Sequence, residues 1–272
     1  MEKYKLIERS ILKEFRRSIW SPFVKGVKEY KLLKENDKVA VCISGGKDSM
    51  LLAKLMQMLN RISDFPFDVV YLVMDPGYTK ENRENIVKNA QLLNIPITIF
   101  ESNIFEVVEY VDKSPCYLCA RMRRGNLYAK AKELGCNKIA LGHHMSDVIE
   151  TTMMGMLYGA QIQAMLPRLK STNFEGMELI RPMYKINEEA VLEWRDYNKL
   201  DFLRCACKIT KKVEEERGVS KRAETKALIK ELKKTNPLVE RNIFNAIHNV
   251  QLDTLVRYKT KNKECSFLDR LE

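Results

Sequence analysis

Apolar positions follow two patterns along this chain. Between residues 4 and 34 they recur at helical spacing, at Leu6, Ile7, Ile11, Phe15 and Ile19, with an interruption at Ser21-Pro22. A 3.6-residue period puts such positions on one helix face. From residue 39 the pattern changes to short continuous apolar runs, at 39–43 (VAVCI), 68–74 (DVVYLVM), 97–100 (ITIF) and 138–141 (KIAL). These have the length and β-branched content of strands buried on both faces. Residues 179–181, ahead of Pro182, predict a last short strand. Segments with helical character separate the runs, at 48–62, 81–93, 119–134 and 146–158. Strands spaced by helices predict an α/β fold built from right-handed βαβ units, with a parallel sheet covered on both sides. Ligands of such sheets bind beyond the carboxyl ends of the strands. Past Cys207 the runs stop, and residues 211–263 read as helical and Lys-rich, broken at Asn236-Pro237. The expected organisation is a helical extension over residues 1–37, an α/β domain over 38–207 and a basic helical extension over 208–272.

Composition narrows the class. The 272 residues are 45% hydrophobic, enough for one substantial core. No apolar run approaches the roughly 20 residues of a membrane span. The first 17 residues are charged throughout and lack the apolar core of a signal peptide, so a cytoplasmic protein with no membrane partner is expected. The net charge of +11 is unevenly placed. Residues 1–40 hold 11 Lys+Arg against 6 Asp+Glu, residues 41–200 hold 19 of each, and residues 201–272 hold 17 against 11. A neutral body with basic ends suits a large polyanion such as RNA, with Lys13, Arg16 and Arg17 forming one patch and Lys221, Arg222, Lys226, Lys230, Lys233 and Lys234 another.

The candidate chemistry lies at the strand ends. Ser44-Gly45-Gly46-Lys47-Asp48-Ser49 follows the first strand and opens a helix. Glycines let backbone approach an anion, the helix N-terminus offers free N–H groups, and the serines and Lys47 add donors. Neither G-x-x-x-x-G-K-[ST] nor G-x-G-x-x-G is present. Seven cysteines without a secretion signal point to metal, redox chemistry or burial rather than disulfides. Cys116 and Cys119 form a C-x-x-C at a helix start, and Cys205-Ala206-Cys207 lies downstream. By spacing alone these are zinc ligands, iron–sulfur ligands or a thiol pair. Cys42 and Cys136 read as core, and Cys265 has no evident partner. Gly142-His143-His144, with Asp147 and Glu150 after it, follows the fourth strand; two adjacent histidines point different ways and seldom share one metal.

The string SGGKDS resembles the loop of the PP-loop ATP pyrophosphatases, which cleave ATP between the α and β phosphates and transfer AMP to a carbonyl oxygen. The stretch CYLCARMRRGNLYAKAKELGCNKIALGHHMSDVIETTMMGMLYG, with Arg181-Pro182-Met183, resembles the tRNA 2-thiocytidine synthetase family within that superfamily, a likeness running from about residue 20 to 258. The resemblance implies a Rossmann-like parallel sheet of the adenine nucleotide alpha hydrolase type. It implies that Ser44, Gly45, Gly46, Lys47, Asp48 and Ser49 contact ATP phosphates and Mg²⁺, that Met74 and Gly142 lie by the adenosine, and that Asp147 helps place Mg²⁺ or pyrophosphate. It further implies a [4Fe–4S] cluster on Cys116, Cys119 and Cys205, with Cys207 the alternative third ligand, since this chain has Arg-Cys-Ala-Cys where the family has Pro-Cys-x-x-Cys. The implied reaction adenylates a cytidine O2 in a tRNA anticodon loop and replaces that oxygen by sulfur, with Lys47, Asp48 and the three cysteines as catalytic groups. Implied partners are tRNA, a sulfur donor (a cysteine desulfurase persulfide or inorganic sulfide) and a second copy of the chain in a homodimer. Two rival readings remain: a PP-loop ligase or thiolase acting on another base or a small molecule with zinc on the cysteines, and a non-catalytic RNA-binding protein that senses ATP.

Overall fold

A computed structural model of the chain describes residues 2–109, 115–203 and 220–271. The chain opens with helix α1 (Lys3–Leu12), a π-helical turn (Arg16–Trp20) and α2 (Ser21–Glu29). The break in this region falls at residues 13–15 rather than at Ser21-Pro22. Pro22 sits in the first turn of α2, where a missing N–H costs nothing.

Strands β1 (Lys38–Ile43), β2 (Asp68–Asp75), β3 (Ile97–Glu101), β4 (Lys138–Ala140), β5 (Arg168–Lys170) and β6 (Glu178–Ile180) form one sheet in the order β3-β2-β1-β4-β6-β5. All its neighbours pair parallel except β5, which runs antiparallel on the edge. Helices α3 (Lys47–Ile62), α4 (Lys80–Leu92), α5 (Ile104–Glu109), α6 (Pro115–Glu133), α7 (Met145–Gly159) and α8 (Glu188–Tyr197) connect or follow the strands.

Alternation along β1 divides the core between the two sheet faces. Val39, Val41 and Ile43 pack with Met50 and Leu51 of α3, Ile86 of α4, Trp194 of α8 and the N-terminal Ile7, Ile11 and Phe23. Ala40 and Cys42 face the other way, toward Tyr128 and Ala131 of α6 and Cys136. The N-terminal helices thus share the main core. Burial pushes the Cys42 thiol up to about 12, which makes it inert filler.

Two features of the sheet were not visible in the apolar pattern. The edge strand β5 is short and half-exposed. Lys138, at the start of β4, is fully buried; its Nζ lies 2.9 Å from Asp37 Oδ2 and 3.2 Å from Glu178 Oε2, and donates to the Leu32 carbonyl at 2.8 Å. Three oxygens offset the cost of burying that charge.

The chain moves outward from β1 to β2 to β3, then returns to place β4 on the opposite side of β1. The carboxyl ends of β1 and β4 therefore flank the point where the winding reverses, the position at which ligands bind such sheets. Beyond residue 220, α9 (Lys221–Thr235) and α10 (Val239–Ala246) pack Ile229 and Phe244 against Val148 and Ile149 of α7. The helix break at Asn236-Pro237 is present, but the helical reading to residue 263 does not hold. Strands β7 (Arg257–Lys259) and β8 (Glu264–Ser266) form a hairpin there, pairing Tyr258 with Cys265 and Lys259 with Glu264.

Candidate active site at the switch point

The loop after β1 is closed by its own serines. Ser49 Oγ donates to the Gly46 carbonyl at 3.0 Å and accepts from the Ser44 N–H at 3.1 Å. Gly45 has φ +86°, and a Cβ there would stand 2.6 Å from Ile86 Cγ1, so the position demands glycine on two grounds. Gly46 then caps α3, whose first N–H groups face the loop. The chain after β4 lies directly on this turn: a Cβ on Gly142 would sit 3.1 Å from backbone atoms of Asp48 and Ser49. The two loops that flank the switch point are thereby locked together.

The charged groups at the loop are shared among several elements. Lys47 Nζ lies 3.1 Å from Asp48 Oδ2 and 3.2 Å from Glu188 Oε1. Burial works against its charge, but the two carboxylates outweigh burial and raise its pKa. Glu188 is also bound by Lys226 of α9. Burial would raise Glu188, yet Lys226, Lys47 and His144 pull it down to about 2. Asp48 Oδ1 is buried and has no hydrogen-bond partner among the described residues; His144 Nε2 is 3.6 Å away. A bare phosphate would repel it, so an orphaned carboxylate oxygen beside a phosphate loop fits a bridging divalent cation.

The histidines have separate work. His144 caps α7: Asp147 Oδ2 accepts its N–H at 2.8 Å, and its ring Nδ1 accepts the Asp147 N–H at 3.4 Å. The other oxygen of Asp147 is bound by Arg222, which also reaches Glu150 Oε2 at 2.7 Å. His143 Nδ1 lies 3.3 Å from Arg181 Nε. Burial first, then Arg181, lowers the His143 pKa to about 4, so the ring is neutral at physiological pH.

A cavity of about 380 Å³ opens between the loops. Ser44, Asp48, Ser49, Met74, Gly142, His143 and Asp147 line it, together with Tyr78 and four α6 residues, Ala120, Arg123, Arg124 and Leu127. Of the expected site residues, Ser44, Asp48, Ser49, Met74, Gly142 and Asp147 thus border one space, whereas Gly45, Gly46 and Lys47 are not part of its lining. Sequence reasoning missed Tyr78, Arg123 and Glu188. Asp75 Oδ1 accepts the N–H of Gly77 at 3.0 Å and of Tyr78 at 2.7 Å, a turn that folds Tyr78 over the loop. Arg123 Nη2 then donates to the Tyr78 hydroxyl at 3.1 Å, and Arg123 Nε is buried without a hydrogen-bond partner among the described residues. Of these, only Arg123 carried a signal, lying in the string after Cys119.

Cys116 and Cys119 stand one turn apart at the N-terminal end of α6. Cys119, with Leu118 and Met122, packs against Met74 of β2 and Ile104 of α5. The cysteine-bearing turn thus opens the same helix whose later residues line the cavity. Two thiols at a helix N-terminus, where the dipole favours thiolate, are a donor set that suits an iron–sulfur cluster. Cys205 and Cys207 lie outside the described residues, and among those residues no three His, Cys, Asp or Glu converge as a metal site. Cys265, on β8, stands opposite Tyr258 of β7.

A family model described as a PP-loop domain matches residues 13–213. The chain belongs to the PP-loop family. It is 31% identical over 238 residues to the tRNA-cytidine(32) 2-sulfurtransferase of Geobacter metallireducens, spanning 86% of this chain and 90% of that protein. It is likewise 31% identical to the enzyme of the same name from Acinetobacter baylyi, over 88% of this chain and 77% of the relative. Among solved structures, the U34-tRNA thiolase NcsA from Methanococcus maripaludis with its [4Fe-4S] cluster matches at a TM-score of 0.66 and 23% identity, over 85% of this chain and 79% of that one. That likeness is one of fold. The SGGKDS turn is accordingly the PP-loop of this chain, and β1 to β6 are the sheet that carries it.

Proposed function

We propose that this PP-loop protein is a tRNA sulfurtransferase that converts a cytidine of the anticodon loop to 2-thiocytidine at the expense of ATP. The observation that carries the reading is the shared cavity wall: the helix with Cys116 and Cys119 bounds the space into which the PP-loop opens. Ser44, Gly45, Gly46 and Ser49 hold the phosphates, Lys47 and Asp48 the pyrophosphate and Mg²⁺, and Met74 and Gly142 the adenosine. Asp147 assists once Arg222 gives way.

The cytidine O2 attacks the α phosphorus, forming the O–P bond as the bond to pyrophosphate breaks. Sulfide then adds at C2, and AMP departs with the original oxygen. Adenylation is needed because a ring carbonyl oxygen is a poor leaving group. A [4Fe–4S] cluster on Cys116, Cys119 and Cys205 would supply an iron with an open position that binds sulfide as a Lewis acid. The target base must leave its stack, which favours a loop nucleotide over a helical stem. With this reading go a cytoplasmic location, a persulfide or inorganic sulfide as donor, and a homodimer.

The test is mass spectrometry of tRNA nucleosides from a deletion strain. 2-Thiocytidine is expected to vanish and to return with the wild-type gene but not with Asp48→Ala. An unchanged 2-thiocytidine level in the deletion strain overturns the reading.

A further inference from the structure

The basic C-terminal helix that composition points to as an RNA contact spends most of its charge inside the molecule. Arg222 is bound to Asp147 and Glu150, Lys226 to Glu188, Lys233 to Glu189 and Glu240, and Lys234 to Glu231. A second site, which no motif announced, keeps its cations free. Between α6 and the β5–β6 edge lies a cleft of about 470 Å³. Arg121, Arg124, Lys170 and Arg181 line it, and no acidic residue does. Among the described residues none of the four has a carboxylate within 4.0 Å, in a body whose middle 160 residues are electrically neutral. Random placement of balanced charge rarely leaves four cations together and unanswered.

Arg181 makes the argument sharper. It is only 8% exposed, yet its guanidinium bonds two neutral groups, the Leu166 carbonyl and His143. A buried cation without a counter-ion is costly and is retained where an anion comes to it. Burial and the neighbouring Arg124 lower its pKa to about 10, which still leaves it charged at pH 7. Tyr128 and Phe174 also line the cleft and stack on each other, with centroids 5.1 Å apart and planes within 12°. Arg124 also lines the PP-loop cavity, so the two spaces share a wall.

We propose that this α6–β5 cleft binds the phosphodiester backbone of the tRNA next to the nucleotide whose base enters the PP-loop cavity. The inference rests on the tRNA reading above and names the surface that receives the substrate. Arg121 and Lys170 are its exposed arms, and Arg181 is its buried counter-charge. Phosphate contacts position without reading sequence, so the cleft sets where along the tRNA the cavity opens and leaves base choice to the cavity.

The experiment is a titration of unmodified tRNA transcript against the full chain at several salt concentrations, by filter binding. Arg121→Gln with Lys170→Gln is compared with wild type, and with Lys88→Gln plus Lys25→Gln, which removes the same charge elsewhere. Arg124 and Arg181 are left intact because they touch the PP-loop cavity and its His143. The cleft variant is expected to bind roughly tenfold more weakly at low salt, with a log–log salt slope shallower by about two, since each lost phosphate contact removes close to one released counterion. ATP binding and the distant variant are expected to match wild type. The charge-keeping pair Arg121→Lys with Lys170→Arg should restore binding; if it fails as badly as the Gln pair, a packing defect explains the loss and the proposal falls. Wild-type affinity and slope in the Gln pair also overturn the proposal while leaving the sulfurtransferase reading intact. Failure of the wild-type chain to bind tRNA at all strikes that reading instead.

Discussion

Lys47 is held between Asp48 and Glu188. In the proposed reaction Lys47 meets pyrophosphate, and its ammonium is already oriented by these two carboxylates. Asp48 has one oxygen on Lys47 and one buried with no hydrogen bond among the described residues. Neither side chain supports the core, so removal should cost activity and not folding. Lys47→Ala and Asp48→Ala are each expected to lower tRNA-dependent AMP formation by roughly a hundredfold, about 3 kcal/mol of transition-state stabilisation. Their Tm values should stay near wild type. Turnover within a few-fold of wild type in either variant would remove the PP-loop from the chemistry.

At the level of elements, α9 is a strap across the site. Its inner residues, Ile229 above all, pack on α7, while Arg222 and Lys226 clasp Asp147, Glu150 and Glu188. Glu150 is 5% exposed, so cutting Arg222 leaves a buried carboxylate without its cation. Arg222→Ala is expected to destabilise the chain by about 2 kcal/mol. That corresponds to a fall in Tm of roughly 5 °C for a domain of this size. Hydrogen exchange should rise first along α9 and the first turn of α7. Protection unchanged in both segments would mean that Glu150 finds another partner and the clasp is idle. The clasp is invisible to a count of lysines, because Arg222, Lys226 and Lys233 each answer an acid that lies 38 to 75 residues away in sequence.

For the molecule as a whole, the PP-loop cavity, the cysteine turn and the basic cleft all involve α6. One helix presents Arg123 and Arg124 to the cavity, carries Cys116 and Cys119 at its start and presents Arg121 to the cleft. Metal loading therefore bears on the whole assembly. Protein purified without oxygen is expected to contain about four irons per chain, with a broad absorption near 400 nm that air bleaches, the approximate behaviour of a thiolate-bound cluster with an exposed iron. Cys119→Ala should lose the colour. One zinc and no iron per chain would instead favour the ligase alternative. Between Cys205→Ala and Cys207→Ala, loss of colour in only one identifies the third ligand.

The apolar runs determined the sheet, because a strand buried on both faces must be apolar along its length and a solvent-covered helix must be periodic; β1 to β4, β6 and helices α3, α4, α6 and α7 follow from that, while the short α5 does not. The PP-loop was legible for the same reason of locality: six consecutive residues carry the glycine geometry, the helix start and the charges. Lys138 and β5 were not legible, since a buried lysine needs Asp37 and Glu178, both far from it in sequence, and an edge strand is half wet. The lysines of α9 and the arginines of α6 look alike in a sequence, for both follow helical spacing and carry the same charge. Only the tertiary structure decided that the first group is answered by carboxylates and the second is not. Electrostatic free energy depends on distance through space, and a sequence records distance only along the chain.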